Sequence, residues 1–282
     1  MNKHIVYTSF DGDLMVYIDC MRKLAIRNGF VPINPEHALG YYLSTRAHGD
    51  SKSEVMKDCL SLTTIADEFW VFSGSEDNSL GVFPEGVLIE MLLWARQKGL
   101  PVKVFSIPQT MASLEFGSSQ NCEGKILAVK EVYLKNVLNN RYFQEISSFL
   151  DRVTPILRPV VFIDIRNEDF KYVDWVRARA YEVGKVPIVP QHLIPEFVYA
   201  LHNMQGDYDA SVEALCNAAS CIWAIYYSQE KLEELRKKYK DVRLMTTFIS
   251  LQELNVPKYA NPRNWSITTK ELQENLLDSS RE

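Results

Sequence analysis

The chain repeats itself. Residues 5–37 (IVYTSFDGDLMVYIDCMRKLAIRNGFVPINPEH) and residues 160–192 (VVFIDIRNEDFKYVDWVRARAYEVGKVPIVPQH) align without a gap at a constant offset of 155, with 11 identities in 33 positions. Among the recurring residues, Asp19, Arg22, Gly29, Pro35 and His37 return as Asp174, Arg177, Gly184, Pro190 and His192. Further on, Trp70 in ADEFWVF matches Trp223 in SCIWAIY after a two-residue deletion. Self-similarity of this length predicts that both halves build the same supersecondary unit, with a chance match between two βαβ starts as the other reading. With 282 residues in all, two small domains fit the usual size of roughly 100–200 residues each.

The unit reads as strands alternating with helices. Strand one is expected near His4–Thr8, followed by a helix over Leu14–Asn28 that stops at Gly29, since glycine takes the left-handed conformation there at no steric cost. Val31–Ile33 is the second strand, and a polar loop carrying Gly49 and Asp50 leads to a helix over Ser53–Thr64. Glu68–Phe72 is the third strand. A third helix begins near Pro84, a favoured first-turn residue, and ends at Gly99 before a fourth strand over Val102–Ile107. Alternation of this kind predicts two doubly wound parallel α/β sheets of the flavodoxin or Rossmann-like type. The expected divisions are a first domain over 1–107, a partly helical connection over 108–158, a second copy over 159–255 and a polar tail over 256–282. In the connection, Arg141–Val153 reads as a helix and Ile126–Leu134 as a strand alternative.

Composition excludes several classes of protein. Hydrophobic residues make up 46% and charged residues 24% of the chain, values ordinary for a globular protein. The net charge is −5 and no Lys/Arg block occurs, so nucleic acid is not expected as a primary partner. No signal-peptide pattern opens the chain, and no apolar run approaches the ~20 residues of a membrane helix. A cytoplasmic protein without a membrane partner is the expectation. Five cysteines without metal-ligand spacing fit reduced thiols, and neither a metal nor any other cofactor is implied.

In an open parallel sheet, ligands gather beyond the carboxyl ends of the strands, where strand order reverses. In the first copy that region holds Tyr7–Asp11, Ser73–Leu80 and the start of the third helix, joined by the glycine-bearing SGSEDNSLGVFPEGVLIE. Gly81 and Gly86 would let a ligand approach the backbone. Positions kept in both copies serve what both share, which is the fold; Asp19, Arg22 and His37 are of this kind, with a substrate contact as the alternative for His37. Positions lost from the second copy are the functional candidates. Ser9 becomes Asp164, Asp67 becomes Ser220, and Gly74–Glu90 gives way to SQEKLEELRKKYKD, a charged helix expected to lack the glutamate.

These residues carry a family likeness. Through YTSF, GFVPINPEH, ADEFWVF and PEGVLIE followed by GLPVKVF, residues 4–107 resemble the nucleoside 2-deoxyribosyltransferase-like superfamily, in its bacterial and phage branch. The second copy resembles a degenerate version of the same domain. The resemblance implies a dimer-like pair fused into one polypeptide, a pseudodimer, which leaves further homo-oligomer formation open. It also implies a nucleophilic glutamate in a Gly-x-x-x-Glu arrangement. Gly86-Val87-Leu88-Ile89-Glu90 and Gly81-Val82-Phe83-Pro84-Glu85 both fit. Glu90 is preferred, because its apolar neighbours place it at a crevice wall, whereas Glu85 in the first turn is stabilised by the helix dipole without any catalytic duty. Asp67 is carried over as an orienting or base-side group, with a turn residue as its other reading. Tyr7, Ser9 and Phe10 would line the substrate pocket. The Asp-x-Gly-Thr sequence of typical transferases is absent; Asp77-Asn78-Ser79-Leu80-Gly81 only approximates it.

A carboxylate suits this chemistry. Cleavage between a sugar C1′ and a base nitrogen passes through an oxocarbenium-like state, which a glutamate stabilises or captures covalently. The expected function is therefore N-glycosidase (hydrolase) or (deoxy)ribosyltransferase activity on a small-molecule nucleoside or nucleotide. The alternative is a non-catalytic protein that senses or sequesters a nucleotide or a nucleotide-derived signal.

Overall fold

The computed structural model describes residues 3–10, 14, 17–39, 52–74, 83–107, 127–132, 141–194, 205–225, 229–239 and 241–245. The first lobe contains β1 (His4–Phe10), α1 (Ile18–Arg27), β2 (Phe30–Ile33), α2 (Pro35–Leu39), α3 (Lys52–Thr63), β3 (Glu68–Ser73), α4 (Glu85–Lys98), β4 (Val102–Ser106) and β5 (Leu127–Val132). Helix α5 (Arg141–Val153) leads to the second lobe. That lobe contains β6 (Val160–Ile165), α6 (Val173–Glu182), β7 (Val186–Ile188), α7 (Pro190–Leu193), α8 (Gln205–Ala218), β8 (Cys221–Ile225), α9 (Gln229–Lys238) and β9 (Val242–Met245).

The strand orders are β2-β1-β3-β4-β5 and β7-β6-β8-β9, so each sheet reverses direction at its first strand. Both are built on parallel pairs. The first departs from the expected all-parallel form at one edge, where β5 runs antiparallel to β4 with an irregularity beside Val104 and Phe105. An antiparallel edge strand is a common addition to a parallel sheet. Corresponding contacts recur across the lobes. Val6 lies opposite Pro32 as Val161 lies opposite Pro187, and the Asp67 N–H donates to Ile5 O as the Ser220 N–H donates to Val160 O, each at 2.8 Å. Gly29 (φ 82°) and Gly184 (φ 72°) end corresponding helices in the left-handed region. A Cβ at either would meet open space, so backbone conformation alone is what favours glycine there. The first helix, expected from Leu14, is assigned from Ile18.

Period-two alternation sends β1, β3 and β4 side chains to two faces. Val6, Trp70, Phe72 and Phe105 pack on α1, and Val161, Ile163 and Trp223 pack on α6 in the second lobe. The opposite faces share one core: Ile5, Tyr7, Phe69, Val71, Val102 and Val104 join Phe162, Ile188 and Ala224 through α3, α4 and α8. Polar contacts between the lobes are reciprocal. Arg22 donates to His192 O at 3.3 Å, while Arg177 donates to Ala38 O at 2.9 Å. Lys3 pairs with Asp207 at 3.1 Å, while its 155-offset counterpart Arg158 pairs with Asp58 at 3.0 Å. No described helix is long and apolar enough to cross a membrane. Among the described residues Cys59, Cys216 and Cys221 are free and buried.

Candidate functional site

Strand β1 ends with Tyr7 and Ser9 on the face that meets α4, two residues apart and therefore on the same side. Helix α4 is set by Pro84 at its cap and stopped by Gly99 at φ 65°. Every residue from Val87 to Trp94 is buried, so this stretch is enclosed all round rather than amphipathic. Glu90 lies inside that stretch, with 6% of its surface exposed. A buried carboxyl requires hydrogen-bond partners, and β1 supplies them. The Tyr7 hydroxyl donates to Glu90 Oε1 at 2.8 Å and the Ser9 hydroxyl donates to Oε2 at 2.5 Å. The Tyr7 ring is held by Phe69, with centroids 5.1 Å apart.

Burial raises the Glu90 carboxyl from its ordinary 4.5 to about 7, and the Ser9 and Tyr7 hydrogen bonds oppose that rise. At neutral pH the group is therefore poised between acid and carboxylate, the range suited to nucleophilic or acid–base work. Burial, reinforced by the Glu90 charge, pushes Tyr7 well above its usual range, so the phenol remains a donor. Cys59 on α3 packs in the same core as Tyr7, and burial pushes its thiol up as well. It is a packing neighbour, not a thiolate nucleophile.

The other residues singled out in the sequence are placed differently. Glu85 is exposed in the first turn of α4. Asp67 precedes β3 and lies at the amino ends of the strands, where its carboxylate accepts the Ile5 N–H at 2.8 Å and faces His4 at 3.8 Å. The structure does not bring it to Glu90, which meets the carboxyl half of β1. His37 lies 3.6 Å from Asp19 near the lobe junction. Phe10 packs on the α1 face, away from the Glu90 face. A Cβ on Gly86 would come within 3.1 Å of Met56 Cε, so this glycine makes room for α3 rather than for a ligand. Gly81 lies outside the described residues. Cys59 was not recognised as a site neighbour, because helical spacing alone does not reveal which sheet residue a helix will touch.

The second lobe carries Phe162 and Asp164 at the positions of Tyr7 and Ser9. A glutamate is present there after all. Glu230 lies eight residues before the end of α9, as Glu90 does in α4, but it is exposed. Phe162 has no hydroxyl to donate. A cavity of about 330 Å³ lies elsewhere, at the amino end of the first sheet, lined by Lys3, His4, Asp67, Glu213 and Asn217 among others. Among the described residues no group of three or more His, Cys, Asp or Glu side chains is placed to hold a metal.

The class that these features define is an α/β protein of the Rossmann-like type with a buried carboxyl at the carboxyl edge of its first sheet. No protein-family model matches the chain, and no match was found among curated proteins or solved structures.

Proposed function

We propose that the protein is a nucleoside or nucleotide N-glycosyl hydrolase or (deoxy)ribosyltransferase with Glu90 as its nucleophile, and that its two lobes descend from one duplicated domain whose second copy is degenerate. The observation that carries this reading is the Glu90 carboxyl, buried on a helix and held on both oxygens by Tyr7 and Ser9, with an ionisation near neutrality. The duplication draws support from the matching registers and the reciprocal Arg22 and Arg177 contacts.

The chemistry proceeds in two displacements. A Glu90 oxygen attacks C1′ of the sugar, and the C1′–N bond breaks with its electron pair leaving on the base nitrogen, which takes a proton from solvent. Water, or a second base, then attacks C1′ from the opposite face and gives up its proton to solvent, and the C1′–O bond returns its pair to Glu90. Tyr7 and Ser9 aim the carboxylate and spread its charge, while positive charge developing on the sugar favours its ionised form.

Base release from a panel of nucleosides and nucleotides tests this. Wild-type protein should release base from at least one member, Glu90→Ala should abolish release, and Glu85→Ala should retain it. The competing binding-only reading draws on one observation: among the described residues, no second carboxyl or imidazole acts on Glu90. Ligand-induced thermal shifts without base release anywhere in the panel would favour it.

A further inference from the structure

The three central strands of the first sheet end alike. On the face toward α4, β1 reads Ile5, Tyr7, Ser9; β3 reads Phe69, Val71, Ser73; and β4 reads Val102, Val104, Ser106, each triplet with period two. The apolar members sit in the shared core, and the intervening Phe10, Phe72 and Phe105 pack on the other face. All three serines are therefore on the Glu90 side, and all are buried. Ser9 is engaged by Glu90. Ser73 and Ser106 are register partners on adjacent strands, and the Ile107 N–H donates to Ser73 O at 2.8 Å, which fixes the backbone beneath both hydroxyls. Ser106 is 3% exposed, and among the described residues its Oγ has no hydrogen-bond partner.

A buried hydroxyl without a partner costs about 1–3 kcal/mol, and a persistent one calls for an explanation. Strands lie ~4.8 Å apart, so β4 stands about 10 Å from β1 along the sheet edge. That separation is too long for the sugar hydroxyls of a substrate whose C1′ touches Glu90, and it suits the far edge of the attached base. We infer that Ser106, with Ser73 beside it, is a specificity-determining residue whose hydroxyl donates to an acceptor on the distal edge of an uncharged heterocyclic base. The substrates favoured are nucleosides or nucleotides whose base carries a carbonyl there. This inference rests on the Glu90 reading.

Inosine and purine riboside, with their 2′-deoxy and 5′-phosphate forms, make the test, because hypoxanthine adds a C6 carbonyl, with the N1–H that accompanies it, to an otherwise identical purine. Base release is measured for wild type, Glu90→Gln, Ser106→Ala and Ser106→Thr, with the melting temperature of each. Wild type should prefer the carbonyl-bearing member about tenfold in kcat/KM, the factor a hydrogen bond of ~1.4 kcal/mol provides. Ser106→Ala should lose that preference by falling about tenfold on the carbonyl substrate alone, with an unchanged or higher melting temperature, and Ser106→Thr should restore it. Equal loss on both bases, or no loss on either, would overturn the role of Ser106 while Glu90→Gln remained inactive and the Glu90 reading stood. Inactivity of wild type and Glu90→Gln alike on every member would remove the Glu90 reading and this inference with it.

Discussion

Replacing Glu90 by glutamine should make the protein more stable at alkaline pH, against the usual effect of altering a buried hydrogen-bonded group. Burial raises the carboxyl from 4.5 to about 7, so the folded state holds a proton that the unfolded chain has already released. Above the unfolded pKa the unfolded state binds fewer protons, and stability falls as pH rises, until the folded group also ionises near 7. A rise from 4.5 to about 7 corresponds to about 3 kcal/mol in full, of which about 2–3 kcal/mol falls between pH 5 and pH 8. The cost is absent below about pH 4 and complete above about pH 8. Glutamine has nearly the same shape and no charge to desolvate, and the rotatable Tyr7 and Ser9 hydroxyls can pair with its amide. Urea denaturation of both proteins at half-unit steps from pH 5 to pH 8 reads the effect, since subtracting one curve from the other cancels the groups they share. Glu90→Gln should gain about 2–3 kcal/mol on wild type across that range. A difference that stays flat with pH, or one that moves against the variant as pH rises, would refute the assignment of Glu90 as a desolvated carboxyl.

Tyr7→Phe removes the donor to Oε1, so the acid limb of a pH–rate profile should move above its wild-type position and kcat/KM should fall about tenfold to a hundredfold, as the loss of a hydrogen bond to a charged group implies. An unmoved limb would separate Tyr7 from Glu90. Arg158→Ala withdraws the cation from Asp58, whose side chain is fully buried. It should cost about 3–5 kcal/mol in urea denaturation, whereas Lys3→Ala, at the reciprocal but partly exposed contact with Asp207, should cost about 1 kcal/mol or less. Equal costs would contradict the asymmetry between the two junctions.

Much of the architecture was legible because the signals were local. Gly29 and Gly184 punctuate corresponding helices, and the alternation along Ile5, Tyr7 and Ser9 gives the buried face directly. Glu90 was recoverable from its apolar neighbours, since a carboxyl among Val87, Leu88, Ile89 and Met91 must be desolvated wherever the helix packs. Asp67 serves as the turn residue rather than as a base-side group, because a residue just before a parallel strand lies at the amino ends, opposite the edge where ligands gather. The recurrence of Asp19, Arg22 and His37 in both copies points to service to the fold. It could not reveal that Arg22 and Arg177 reach across to the other lobe, because a repeat records what is shared but not what it touches. Cys59 and Ser106 depend on tertiary packing and on strand order, which single-segment patterns do not encode.

Trapping of the protein by a 2-fluoro-substituted nucleoside bears most directly on the proposed role of Glu90. The electron-withdrawing fluorine destabilises the oxocarbenium-like transition states of both steps, and a readily leaving base keeps formation of the glycosyl ester faster than its breakdown, so the intermediate accumulates for peptide mass spectrometry. The adduct should appear on the α4 peptide at Glu90 and be absent from Glu90→Gln. An adduct at Glu85, or base release that continues in Glu90→Gln, would contradict a nucleophile held between Tyr7 and Ser9.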